Sequence, residues 1–144
     1  MEKIPVRSVY GQTYCHESED LEKVKKAFEL FFPKKDIKQE TKIGAYGTKV
    51  KILSAEIKGK KARNLIEMLL KSLSTIEKNK ILNELKLRLS DEGKFYLRFD
   101  KQSAYKNGKI ILTNGEDAIQ IILSIEAYPA NNVNYLKSLR VIFS

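Results

Sequence analysis

Between Ile119 and Ala127 every second residue is apolar (Ile119, Ile121, Leu123, Ile125, Ala127), a period of two that only an extended chain turns into one buried face. Lys94 to Phe99 repeats the pattern, with Phe95, Leu97 and Phe99 on one side and Lys94, Tyr96 and Arg98 on the other. Elsewhere the period lengthens to that of a helix. Leu21, Val24, Phe28 and Phe31 form one such stripe, Leu65, Ile66, Leu69 and Leu73 a second, and Ile81, Leu82, Leu85 and Leu89 a third. No Pro-, Gly- or Ser-rich linker and no internal repeat separates these stretches, so the 144 residues are expected to form a single domain, residues 1–144, that mixes both element types.

Local signals place the boundaries. Val6 to Cys15, rich in Val, Tyr and Thr, predicts a strand. Ser18 is expected to cap the first helix, because Glu19, Asp20 and Glu22 follow where the helix dipole favours anions, and Pro33 closes it. Lys34 to Lys58 reads as two strands joined around Tyr46 by Gly44 and Gly47, then a helix runs from Lys60 to Leu73. Ser74 and Glu77 have the capping-box spacing and open another helix, which stops near Asp91-Glu92-Gly93. Asp100 to Tyr105 reads as a short helical or turn segment, Lys109 to Leu112 as a brief strand, and Asn114-Gly115 as a tight turn. Tyr128-Pro129 ends the last strand, and Asn131 or Asn132 caps a final helix. Five or six strands and four helices, without strict βα alternation, predict an α+β fold. Its form is a two-layer α/β sandwich, an antiparallel or mixed sheet with helices on one face. Such a sheet leaves its other face open.

Charge is uneven. Residues 33–63 hold ten basic side chains (Lys34, Lys35, Lys38, Lys42, Lys49, Lys51, Lys58, Lys60, Lys61 and Arg63) against Asp36, Glu40 and Glu56, which is +7 of the net +9. A phosphate backbone suits such a block, since each neutralised phosphate releases condensed counterions; a merely solvating lysine face is the other reading. Tyrosines lie among the basic residues: Tyr46 in the loop, Tyr96 beside Arg98, Tyr105 near Lys101 and Lys106. Their ring faces can stack on unpaired bases, although a strand tyrosine also serves to cover a core edge. The lone Cys15 makes no internal disulfide, the amino-terminal residues carry no signal-peptide run, and no apolar stretch reaches bilayer length, which together predict the cytosol and no membrane partner.

Catalytic signals are sparse. No phosphate-binding glycine loop, paired cysteines or zinc-protease spacing is present, and no cofactor or metal is expected. Cys15 and His16 adjoin, but neighbours on a strand point to opposite faces. Glu92, Asp100 and Lys101 bracket a strand in a pattern that a metal-dependent nuclease also needs, while Asp100 serves equally well as a turn cap.

Tyr14-Cys15-His16-Glu17-Ser18-Glu19-Asp20 with Val24 and Pro33, then Tyr46-Gly47, Ala55-Glu56-Ile57-Lys58, the run Leu97-Arg98-Phe99-Asp100-Lys101-Gln102-Ser103-Ala104-Tyr105, and Ala127-Tyr128-Pro129-Ala130 carry a likeness over nearly the whole chain. It resembles the archaeal family of predicted RNA-binding proteins labelled exosome-subunit-like. The resemblance implies a fold like that of ribosomal protein L5, an RNA-processing or ribosome-linked setting, and Arg98, Lys101, Gln102 and Tyr105 as candidate site positions. The expected function is non-catalytic RNA binding. Its candidate contacts are Lys34, Lys35, Lys38, Lys42, Tyr46, Lys49, Lys51, Lys60, Lys61, Arg63, Tyr96, Arg98, Lys101, Gln102 and Tyr105, with RNA and protein subunits of a processing complex as partners. A scaffold subunit of such an assembly is the alternative, and a nuclease the third reading.

Overall fold

The computed structural model describes residues 3–144. Its five strands, β1 (Val6–His16), β2 (Lys38–Ile43), β3 (Lys49–Lys58), β4 (Lys94–Asp100) and β5 (Ala118–Ile125), form one antiparallel sheet in the order β2-β3-β1-β5-β4. The ends of β1 and β5 show the antiparallel sense. The Glu126 N–H donates to the Pro5 carbonyl at 2.8 Å, and the Thr13 hydroxyl reaches the Ala118 carbonyl at 3.2 Å. Six α-helices accompany the sheet among the described residues: α1 (Leu21–Glu29), α2 (Gly59–Ser72), α3 (Thr75–Asn83), α4 (Leu85–Arg88), α5 (Lys101–Asn107) and α6 (Asn132–Phe143). The fold is α+β, as the mixed periodicities predict.

Internal packing divides the chain into two units, one comprising the chain up to Val9 with Ile57–Leu97 and Ile122–Ser144, the other Tyr10–Glu56 with Arg98–Ile121. In the first, α2 buries Leu65, Ile66 and Leu69, and the Phe95 ring meets Phe143 from α6 with centroids 5.7 Å apart. The Ser74–Glu77 capping box forms as its spacing predicts. Gly93 turns into β4 with φ +78°, and a Cβ there would stand 2.6 Å from the Tyr135 ring. In the second unit, α1 packs against α5, and Phe28 of α1 together with Phe31 and Phe32 in the turn that follows it are buried. Phe31 meets Phe99 of β4 at 5.4 Å, and Phe32 lies so close over β1 that a Cβ on Gly11 would come within 2.1 Å of its ring. Glycine at position 11 is therefore a packing requirement. In both units the side chains facing the helices are the buried ones, and the alternate residues of β1, β3 and β4 are left more open.

Four local expectations change. The cap of α1 is Asp20, whose carboxylate accepts the Glu22 N–H at 3.0 Å, because the chain turns after His16 and delays the helix past Ser18. Lys109 to Leu112 forms no strand, only the single bridge Phe99–Leu112. The final strand stops at Ile125, short of Ala127. Six helices replace four because Asp100–Tyr105 belongs to a true helix, α5, and because the third apolar stripe breaks at Glu84 into α3 and α4.

Candidate functional site

Strand β1 shows Tyr10, Gln12, Tyr14 and His16 on the side away from buried Gly11, Thr13 and Cys15. Gln12 Nε2 lies 3.4 Å from the Tyr14 hydroxyl, a same-face pair two residues apart, and Tyr14 is 47% exposed. At the rise of a strand the Tyr10 and Tyr14 side chains stand about 13 Å apart. Neither was expected as a site residue. The signal that finds them is the same period of two, carried back through Gly11, Thr13 and Cys15.

Beside Tyr10 lies a hollow of 430 Å³ shared with Lys35, Asp36, Lys38, Ser54 and Glu56. Lys35 reaches it from a 3-10 turn (Lys34–Asp36), and Lys38 opens β2 directly opposite Ser54 in the ladder. An aromatic ring, two ammonium groups and the carboxylates of Asp36 and Glu56 thus border one space.

The β2–β3 hairpin sorts the remaining lysines by pleat. Lys38 and Lys42 face the side of Ser54 and Val50, whereas Lys49 and Lys51, opposite Ile43 and Thr41, share the side of buried Leu53. Every residue of β2 is exposed, and Tyr46 at the turn is 96% exposed. Lys34, Lys35 and Lys49 are exposed, Lys51 half-buried. Lys60, Lys61 and Arg63 fall in the first unit, on the opening of α2, so the basic block is divided between the two units. Tyr96 belongs to the first unit as well; its side chain is exposed and its carbonyl accepts from Arg88.

The segment from Arg98 to Tyr105 departs most from expectation. Arg98 is exposed, with Nη1 3.4 Å from the Gly115 carbonyl. Lys101 is 2% exposed, and its ammonium donates to the Tyr14 carbonyl (2.8 Å), Glu19 Oε1 (2.9 Å) and Asp117 Oδ1 (2.9 Å). All three N–H groups are used inside the protein, so Lys101 has none left for a phosphate; it ties β1, the approach to α1, the start of α5 and the approach to β5 together. Burial by itself would lower its pKa, but the hydrogen bonds and charges of Asp117 and Glu19 outweigh burial and hold it above the ordinary lysine value. Burial likewise pushes the Asp117 carboxyl up, and Lys101 with Gln102 brings it below the ordinary carboxylate value. Gln102 Nε2 donates to Asp117 at 2.9 Å, and Tyr105 is half-buried with Lys23 Nζ 5.5 Å above its ring. Asp100 caps α5 by accepting the Ser103 N–H at 3.0 Å, the structural role open to it in the sequence.

A second hollow, of 420 Å³, opens beside Tyr14. It is lined by His16, Ser18, Gln102, Glu116 and Asp117 together with the Glu19–Lys101 pair. Among the described residues, no three His, Cys, Asp or Glu side chains gather in a way that holds a metal ion. Cys15 and His16 part as adjacent strand residues must. The thiol is buried, its pKa raised by that burial and by Glu19, and the imidazole is exposed.

The chain is similar to known proteins in both sequence and fold. A family model described as RNA binding matches residues 8–125. The RNA-binding protein PAB1135 of Pyrococcus abyssi is 31% identical over 145 residues, covering 96% of this chain and 94% of its own length. Protein MJ0213 of Methanocaldococcus jannaschii is 32% identical over 135 residues, 88% of this chain and 89% of that one. Among solved structures, protein AF2318 from Archaeglobus fulgidus superposes with a TM-score of 0.84 at 28% identity, covering 95% of this chain and 99% of its own.

Proposed function

This chain belongs to the RNA-binding family that matches its residues 8–125, and from that premise we propose that it holds single-stranded RNA without cleaving it, along the open side of β1 and the β2–β3 hairpin. The observation that carries the reading is the hollow shared by Tyr10, Lys35 and Lys38. Lysines there neutralise phosphates, and the tyrosine face offers a base a stacking partner regardless of its identity. Lys42 and Tyr46 extend the same surface toward the hairpin turn, and Arg98 adds a guanidinium in the same unit. Lys101 supports this surface from within, through the Tyr14 carbonyl of β1.

Filter binding of a labelled twelve-nucleotide single strand over a salt series tests the proposal. Affinity should fall steeply with salt, by about 0.7 in log–log slope for each phosphate contacted. A flat response, or an unchanged affinity after Lys35→Glu with Lys38→Glu, counts against it.

The setting we assign is that of a cytosolic accessory factor in archaeal RNA processing, supported by the likeness of the Leu97 to Tyr105 run to the exosome-subunit-like family. Co-sedimentation of the full chain with purified exosome on an RNA tail is the expected result, and failure to co-sediment removes that assignment while leaving RNA binding in place.

A further inference from the structure

Resting on the RNA-binding reading, we propose that the hollow beside Tyr14 receives one unpaired base of the bound strand and prefers guanine, because the carboxylates of Glu19, Glu116 and Asp117 stand on its walls while the one ammonium there is fully engaged. A phosphate is the first ligand to set aside. The Lys101 ammonium lines the hollow, yet its three N–H groups are taken by Tyr14, Glu19 and Asp117. One Gln102 N–H is directed to Asp117. Against these stand the carboxylates of Glu19, Glu116 and Asp117, which repel an anion. Glu116 is exposed and makes no ion pair among the described residues. A divalent ion fits no better, since the same residues form no cluster of metal-binding geometry.

What remains is a planar group rich in N–H donors. Tyr14 and His16, two residues apart on one face of β1, supply π surfaces, and 420 Å³ lies within the range of small-ligand pockets. Guanine alone among the four bases presents two adjacent donors, N1–H and the N2 amino group, to a single carboxylate. Cytosine offers its N4 amino group beside an acceptor, as does adenine with N6. Uracil sets its one N–H between two carbonyls that a carboxylate repels. A paired contact of this kind discriminates by about tenfold or more. The two hollows then divide the work along β1: lysines near Tyr10 hold the backbone, and the acceptor-rich space near Tyr14 admits a base while turning phosphate away.

The test uses the full chain and fluorescence anisotropy with a ten-nucleotide oligoadenylate and three versions carrying one central G, C or U. A single G should tighten binding about tenfold, C less, and U not at all. Glu116→Gln and Tyr14→Leu should each bring the G-containing strand to within about twofold of oligoadenylate bound by the same variant. Four strands bound alike by the unmodified protein overturn the base site and leave RNA binding standing, as does a G preference that survives both substitutions. Absence of binding to every strand overturns the proposed function itself.

Discussion

The β2–β3 hairpin and the start of α5 both present lysines that a sequence pattern marks as phosphate contacts, and the structure treats them in opposite ways. Lys38, Lys42 and Lys49 stand in water on an edge hairpin, whereas Lys101 is buried with its ammonium fully coordinated by one carbonyl and two carboxylates. The residue type is the same; what differs is convergence. Glu19 and Asp117 come to Lys101 from segments 82 and 16 positions away, and the triple contact offsets the cost of taking the charge out of water. A lysine so held stabilises the fold and is lost to binding, while one left in water costs little and keeps its donors free. On the proposed function the contrast gives stability to one region and RNA affinity to the other, and substitutions can break that division.

The largest effect falls on the buried ammonium. Replacing both its partners, Glu19→Gln with Asp117→Asn, strands a charge that is 2% exposed, and urea unfolding should show a loss of about 3–5 kcal/mol. Lys101→Met should cost less, about 1–3 kcal/mol, because Asp117 is half exposed and recovers water. Equal losses, or a loss below about 1 kcal/mol in the double variant, would show that the ammonium is not held as the geometry indicates. The pH dependence has two flanks. Asp117 titrates below its unfolded value, so its contribution is present above about pH 3.9 and disappears as pH falls through the lower folded value. Lys101 titrates above its unfolded value, so its contribution is complete below about pH 10.4 and disappears as pH rises through the higher folded value. The stability difference between the unmodified protein and Lys101→Met should therefore narrow at both extremes, and a difference independent of pH refutes the pairing.

The hairpin should respond in the reverse sense. Lys35→Glu, Lys38→Glu and Lys42→Glu together should weaken RNA binding by about a hundredfold and flatten the log–log salt slope by roughly 2. Each should change stability by no more than about 0.5 kcal/mol, as surface substitutions do. A destabilised hairpin variant with unaltered affinity would invert the comparison. Among tyrosines, Tyr10→Ala should reduce affinity by about 1–3 kcal/mol, one stacked base, whereas Tyr105→Ala, half-buried beneath Lys23, should leave it unchanged.

These assignments also show where the sequence is transparent. Strand β4, the Ser74–Glu77 cap and the Asn131 cap follow from periods and spacings within a few residues, and they appear where those signals put them. The open face of β1 is equally local, since Tyr10 and Tyr14 alternate with Gly11, Thr13 and Cys15. Lys101 is not local. Its burial depends on carboxylates distant in the chain, and nothing between Asp100 and Tyr105 distinguishes it from Lys106, which is exposed. Ser18 fails as a cap for a related reason: any of Ser18, Glu19 and Asp20 suits the role by type, and the turn after His16 chooses Asp20.

The smallest expected effect concerns the lysines at the opening of α2, which belong to neither region. Its first turn holds Lys60 and Lys61 with no acidic residue, and the residue before it is Lys58, which has no side-chain acceptor to cap with. Cations there oppose the helix dipole, so Lys60→Glu should raise stability by about 0.3–1 kcal/mol at low salt. A locally unfavourable charge is what a binding surface retains at a cost to stability. If Lys60 contacts phosphate, the same substitution lowers the salt slope by about 0.7. A variant that is more stable and binds with an unchanged slope confines the footprint to the hairpin and β1. One that is more stable and binds with a shallower slope adds α2 to it, and makes Lys60 the intermediate case between a lysine kept for binding and one kept for the fold.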